Sequence, residues 1–203
     1  MLHQALVEIR PHALLAVLAV SFGCSDRAQP LARDLSRSAE LLDLDGRAIT
    51  LPQAPQDQLV VAIFTRTDCP ISNRYAPEVR ALCERFELQG VAFYLVYVDP
   101  RETSDSIRAH LAEYEYPCAA LRDPQHALVA ATGATVTPEA VVIDRDGQIK
   151  YRGRISDQHV ALGTSRSWAS RHDLAEAIEA TLAGRPVAEP VTKAVGCYIE
   201  DVK

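Results

Sequence analysis

Apolar positions along the chain come in two rhythms. Leu59 to Phe64 and Val91 to Val98 are continuous apolar runs of strand length, the pattern of strands buried on both faces. Between them Ile71, Tyr75, Val79, Leu82 and Phe86 recur at steps of four, four, three and four. That is one face of a helix, predicted from about Ile71 to Leu88 and stopped by Gly90. Alternating apolar residues on either side of Asp45-Gly46, between Glu40 and Leu51, predict a hairpin. Ile107, Leu111 and Tyr114 mark a second helix, Cys118 to Leu121 a short strand, and Gln125 to Thr132 a short helix before Gly133. Val136 to Asp144 reads as a strand opened by Thr137-Pro138, and Asp146-Gly147 turns it back into Ile149 to Ile155. Residues 156–170 are polar and irregular. Leu174, Ile178 and Leu182 give a last helix, stopped by Gly184-Arg185-Pro186, and residues 187–203 are a tail that carries Gly196-Cys197.

Strands and helices in this order make one α/β domain over residues 39–186. It has a central mixed β-sheet, helices on both faces and an N-terminal β-hairpin. Its parallel strand–helix–strand units should cross over right-handedly. At 203 residues, 48% hydrophobic and 24% charged, the chain can bury one substantial core but not two large ones. A net charge of −6 without any Lys/Arg cluster argues against nucleic acid as a partner.

The N-terminus changes the picture of where the domain works. Ala13 to Val20 is an apolar run too short to span a bilayer, which needs about 20 apolar residues. With Arg10 before it and Ser21-Phe22-Gly23-Cys24 after it, it fits an export signal over residues 1–24. Gly23-Cys24 resembles a bacterial lipoprotein box, which implies lipid on Cys24 and a membrane tether. Plain signal cleavage and an over-long start with no export are the alternatives. Residues 25–38, polar with Pro30, read as a linker. The expected location is the periplasm of a bacterium, free or anchored by lipid.

The cysteines are Cys24, Cys69, Cys83, Cys118 and Cys197, without a C-x-x-C pair or zinc-finger spacing. This leaves room for one bridge and some free thiols. Cys83 lies at the edge of the first helix's apolar face and Cys118 at a strand start, so both read as packing residues. Cys69 is different. A buried strand gives way through Thr65-Arg66-Thr67-Asp68 to a helix N-terminus, where unpaired N–H groups and the dipole favour a thiolate. Arg66 is placed to add to that. Cys69 is therefore a candidate redox nucleophile, with a buried structural cysteine as the alternative.

Several residues together carry a resemblance. Cys69 stands at a strand-to-helix junction, Ser72 at the place of the second cysteine of a C-x-x-C, and Pro77 eight residues after Cys69. Thr137-Pro138 precedes a Val-Val-Ile-Asp strand. Over residues 40–185 the chain resembles the thioredoxin-like superfamily in its redoxin branch, the AhpC/TSA or peroxiredoxin-like type. The resemblance implies a thioredoxin-like fold, a kink of the first helix at Pro77 and a cis proline at Pro138 facing the thiol. It implies thiol–disulfide exchange or peroxide reduction at Cys69, an antioxidant type of oxidoreductase. Disulfide or peroxide would be the substrate, an external thiol the reductant, and no cofactor is expected. Arg66, Thr67, Ser72, Thr137 and Pro138 are the supporting or substrate-binding residues. Arg66 stands where typical peroxiredoxins carry Thr, with Thr65 and Thr67 on either side.

With Ser72 in place of a second cysteine, Cys69 needs another partner. Cys197, carried on a mobile tail, is expected to resolve the intermediate as a Cys69–Cys197 disulfide; a free tail thiol or a link to another chain are the alternatives. Sco-type copper chaperones are similar to redoxins in fold and use two cysteines and a histidine. The alternative function is accordingly copper binding and delivery through Cys69, Cys197 and His159, with a solvated loop histidine as the plainer reading of His159. Arg152 or Arg154 is placed to offer charge at the active face, with two solvated strand residues as the plainer reading, and Trp168 is expected to pack within residues 156–170.

Overall fold

A computed structural model describes residues 40–51 and 58–200. The expected export signal over residues 1–24, with Cys24, and the expected linker over 25–38 lie outside the described residues. Strands β1 (Leu41–Leu42) and β2 (Ala48–Ile49) form the predicted hairpin, whose turn is held by Asp43 Oδ1 accepting from Asp45 N–H and Arg47 N–H, each at 2.8 Å. Then come β3 (Leu59–Thr65), α1 (Pro70–Arg74), α2 (Ala76–Phe86), β4 (Val91–Tyr97), α3 (Ser104–Glu113), β5 (Ala119–Arg122) and α4 (Ala127–Thr132). The chain continues through β6 (Val136–Thr137), β7 (Glu139–Asp144), β8 (Ile149–Gly153), β9 (His159–Ala161), β10 (Thr164–Ser165), α5 (Asp173–Leu182) and β11 (Cys197–Tyr198).

Seven strands form the central mixed sheet in the order β2-β1-β5-β4-β3-β7-β8. β3 runs parallel to β4, and β4 to β5, while β7 is antiparallel to β3 and β8. Period-two alternation divides the sheet between two cores. Leu59, Val61 and Ile63 join α2, α3 and α5 on one face, and Val60, Ala62 and Phe64 join Leu41 and α4 on the other. Each fully buried side chain of this size contributes about 1.5–3 kcal/mol, so β3 is the mechanical centre from which the site loop projects.

The single helix predicted from Ile71 to Leu88 is two helices, broken at Tyr75. Pro77 has no N–H to give the carbonyl four residues back, and its ring crowds that carbonyl. It therefore falls in the opening turn of α2, where a missing N–H costs little. Gly90 ends the first helical stretch with φ 76, a left-handed angle that suits glycine. Across the sheet, buried Asp123 starts α4 by accepting the N–H groups of Ala127, Leu128 and Val129 at 2.7, 2.9 and 3.0 Å. That helix delivers the chain to β6.

Two expectations are corrected in this region. Residues 156–170 contain the small β9–β10 hairpin, with its first residue His159 buried, and Trp168 is 84% exposed rather than packed. Cys83 and Cys118 are not separate packing residues but a disulfide joining α2 to the start of β5.

The tail is docked along the sheet. Arg152 N–H donates to Pro190 O at 2.9 Å, and Thr192 N–H donates to Arg152 O at 3.1 Å. Gly153 permits this, because a Cβ there would lie 2.1 Å from Thr192 Oγ1 and 2.5 Å from its carbonyl oxygen. Beyond Thr192 the chain crosses to β6, where β11 pairs antiparallel with it. No helix among the described residues is long and apolar enough to cross a membrane.

Candidate active site

Cys69 follows β3 through the turn at residues 66–68 and caps α1. Its φ/ψ of −82°/107° is extended, and its Sγ accepts from the Ser72 N–H at 3.5 Å. Cys69 as a residue is 1% exposed. As a thiol it donates to the Thr137 carbonyl oxygen at 3.1 Å, and Cys197 Sγ is also 3.1 Å away. The Thr137–Pro138 peptide is cis. The hydroxyls of Ser72 and Thr137 are buried beside the sulfur and have no other hydrogen-bond partner. A buried donor with no partner costs free energy, and a thiolate at Cys69 supplies the missing acceptor.

The two thiols are pushed apart electrostatically. Burial pushes Cys69 up, but the Ser72 and Thr137 hydroxyls, the Ser72 N–H and the Cys197 thiol outweigh it and hold Cys69 below its ordinary value. Burial and the adjoining Cys69 push Cys197 up to about 11. Of the pair, Cys69 is thus the thiol that ionises more readily, and Cys197 the one placed to donate to its thiolate. Alkylation of Cys69 as a function of pH should have its midpoint below the free-thiol value of about 8.5. Ser72→Ala and Thr137→Val should each move that midpoint upward. A wild-type midpoint at or above the free value would remove the case for activation.

Arg66 is turned to carboxylates, at 2.9 Å from Asp68 and 3.4 Å from Asp99. Asp99, held down to about 2 by its hydrogen bonds to Arg101, stays charged at any working pH. Much of the Arg66 charge is therefore spent within this cluster, and the hydroxyls, not Arg66, are the principal support of the Cys69 thiolate. Thr67 serves through its backbone: its N–H donates to Glu102 Oε1 at 2.6 Å and its carbonyl accepts from Asn73 Nδ2 at 3.1 Å.

Asn73 leads to a buried chain that the sequence analysis missed. Its Oδ1 lies 3.0 Å from His110 Nε2, and His110 Nδ1 lies 2.8 Å from the Tyr97 hydroxyl. Since Asn73 Nδ2 donates to Thr67, its Oδ1 must accept, so His110 carries its proton on Nε2 and accepts from Tyr97 on Nδ1. Burial lowers the His110 pKa and keeps the ring neutral, as this pattern requires. The chain Tyr97–His110–Asn73–Thr67 ties the thiol turn to β4 and α3. One signal was present: His110 sits between Ile107 and Leu111 on an apolar helix face, where a polar residue needs a partner.

The copper set of Cys69, Cys197 and His159 is not assembled. Among the described residues no three His, Cys, Asp or Glu side chains gather to hold a metal ion. His159 is neither solvated nor a ligand; it is buried with its ring 5.0 Å from that of Tyr75. Nor do Arg152 in β8 and Arg154 just after it serve the thiol. Arg152 Nη1 donates to Thr132 and Gly133 carbonyls at 2.9 and 2.8 Å, and Arg154 grips buried Asp173 at 2.7 and 3.2 Å.

The profile of the AhpC/TSA family matches residues 32–152, more than half of the chain. The chain belongs to the AhpC/TSA family. It is a redoxin-branch member of the thioredoxin-like superfamily, with the mixed sheet and the Thr137–Pro138 peptide set against the thiol. No curated protein matches it. Among solved structures, an uncharacterized conserved protein from Geobacillus kaustophilus is 25% identical, covering 81% of this chain and 88% of its own, with a TM-score of 0.70. A hypothetical protein from Sinorhizobium meliloti 1021 is 24% identical over 80% of this chain and 90% of its own, also at 0.70. A putative thiol:disulfide interchange protein DsbE from Chlorobium tepidum shares the fold at 19% identity, 70% and 92% coverage and a TM-score of 0.55. This AhpC/TSA member sets a second cysteine, from its tail, 3.1 Å from Cys69.

Proposed function

We propose that the protein is an exported thiol oxidoreductase in which Cys69 is the redox nucleophile and Cys197 the resolving thiol. The observation that carries this reading is the 3.1 Å separation of the two sulfurs, one poised as thiolate and one as thiol. In disulfide exchange, the Cys69 thiolate attacks one sulfur of a substrate disulfide; a mixed disulfide forms and the other half leaves as a thiolate. Cys197, deprotonated as that thiolate takes its proton, then attacks Cys69 Sγ. The Cys69–Cys197 disulfide forms and the bound half is released, so the substrate has gained two electrons and the protein has lost them. An external dithiol restores the pair.

A specific observation favours peroxide as a second substrate: the unpartnered Ser72 and Thr137 hydroxyls are donors beside the sulfur. The thiolate would take the distal oxygen to give a sulfenic acid and an alcohol, and Cys197 would displace that oxygen as water. Export, with lipid on Cys24 or without it, belongs to the same reading. The Cys83–Cys118 disulfide supports it, since such bonds persist in oxidising compartments.

The deciding measurement is mass spectrometry of the reduced full chain after one equivalent of a small disulfide or of hydrogen peroxide. A Cys69–Cys197 peptide pair is expected. In Cys197→Ser the mixed disulfide or the sulfenic acid should instead accumulate on Cys69. No modification of Cys69 by either oxidant would sink the reading.

A further inference from the structure

Thr67, two residues before Cys69, is held at both of its backbone groups. Its N–H donates to Glu102 Oε1 at 2.6 Å, and its carbonyl accepts from Asn73 Nδ2 at 3.1 Å. Glu102 stands just before α3, and His110, which holds Asn73, lies in the second turn of α3. The α3 segment thus reaches the thiol turn twice. Asn73 also joins the chain on either side of the nucleophile, because its own N–H donates to the Cys69 carbonyl at 3.0 Å. Whatever orients the Asn73 amide therefore orients the turn before Cys69 and the helix after it together.

His110 is built to do this. The Thr67 carbonyl can only accept, so Asn73 must present its NH2 there and its oxygen to His110. A reversed amide would set Asn73 Oδ1 against that carbonyl, acceptor against acceptor. The ring prevents the reversal: Nε2–H donates to Asn73 Oδ1 at 3.0 Å while Nδ1 accepts from the Tyr97 hydroxyl at 2.8 Å. Tyr97 and His110 are 1% and 4% exposed, so neither contact is readily exchanged for solvent. The groups facing the ring are Tyr97 from β4, Asn73 from α1, and the rings of Tyr114 and Tyr116 from the segment after α3, at 4.8 and 5.8 Å. Glu113, on its own helix, is the charged group that acts on it.

The place of Cys69 Sγ matters because its donors come from different elements. Ser72 belongs to α1 and Thr137 to β6. Hydrogen bonds weaken steeply with distance and misalignment, so these donors serve the sulfur only while the turn keeps it between them. Building on the reading of Cys69 as the redox nucleophile, we propose that His110 is a positioning residue for Cys69: by fixing the Asn73 amide it holds the thiol turn where the Ser72 and Thr137 donors meet at Sγ. It takes no proton in the reaction and acts through Asn73.

The test follows Cys69 in the reduced full chain as Cys197→Ser, the parent. Added to it are His110→Leu, His110→Gln, Asn73→Ala, Tyr97→Phe and the His110→Leu/Asn73→Ala combination, each checked for folding by circular dichroism. Alkylation of the Cys69 peptide by iodoacetamide, read by mass spectrometry across a pH series, gives both the rate at neutral pH and the ionisation midpoint. His110→Leu keeps an apolar side chain and loses both hydrogen bonds. It should slow alkylation about tenfold, the scale on which loss of neutral hydrogen bonds acts, and move the midpoint upward. His110→Gln carries a donor and an acceptor on one planar group and should return the rate to within about threefold of the parent. Adding His110→Leu to Asn73→Ala should slow the reaction no further, because the effect runs through Asn73. His110→Leu equal to the parent, His110→Leu and His110→Gln equally slow, or effects of His110→Leu and Asn73→Ala that multiply would each overturn the proposal. Where His110→Leu does not fold, Tyr97→Phe decides. It removes only the hydroxyl that fixes the ring and should slow alkylation about threefold; an unchanged rate would overturn the proposal. Failure of the parent's Cys69 to react with a small disulfide would instead remove the nucleophile reading itself.

Discussion

Cys69→Ser is expected to lower the rate of disulfide or peroxide turnover by at least about a thousandfold, the scale on which loss of a covalent nucleophile acts. Serine fits the space and can keep the contact to the Thr137 carbonyl, so the fold should survive and the loss should be chemical. What disappears is the thiolate. A hydroxyl does not ionise near neutral pH, so the Ser72 and Thr137 donors have no anion to hold. Cys197 is not expected to take over, because the burial that pushes its thiol up, the largest cause, remains when Cys69 is gone. Steady-state turnover with dithiol reductant, compared at matched circular dichroism spectra, measures this. Residual activity within tenfold of wild type would place the reactive thiol elsewhere.

Cys197→Ser should behave differently. It keeps the first chemical step and loses the second, so a stoichiometric burst should replace turnover. This contrast separates a nucleophile from a resolving thiol in a way that activity alone does not.

The parts of this site that were legible in the sequence are those fixed by local pattern. A buried apolar run followed by a helical rhythm located Cys69, because strand and helix periods are local properties. Thr137-Pro138 was placed opposite it by resemblance. What stayed hidden depends on contacts between distant positions. The Thr67–Asn73–His110–Tyr97 chain joins two helices and a strand, and its members look like ordinary turn and helix residues until they meet. The docked tail was hidden for the same reason. Gly196 reads as allowing either an unusual backbone angle or a close approach, and Gly153 as a residue of the return strand; both are small because another segment passes too close for a Cβ. The helix break at Tyr75 shows local and tertiary demands together: Pro77 forbids a continuous helix, and α1 remains as a short turn that leaves Cys69 capping it.

Cys83 and Cys118 are the sharpest such case, and they carry the second large effect. Their disulfide spans a sequence separation of 35 and encloses β4 and α3 within its loop. Closing a loop of that length removes unfolded-state entropy worth about 3–4 kcal/mol in the chain-entropy account. For a domain of this size the corresponding fall in Tm is roughly 6–16 °C. The Cys83→Ala/Cys118→Ala double variant should show that fall without added reductant. Reductant should bring a Cys197→Ser chain, in which the active-site pair cannot form, down to the same Tm, and should leave the Cys83→Ala/Cys118→Ala/Cys197→Ser chain unmoved. Equal Tm values with and without reductant in Cys197→Ser would mean that the bond contributes nothing to stability. Position argues for a structural role: both sulfurs are buried in the core that also holds Cys69 and Cys197, with α2 on one side and β5 on the other. The bond therefore fastens the helix that follows the nucleophile to the sheet. Its loss should loosen the Cys69 turn as well as the fold, lowering turnover in the double variant before the chain melts.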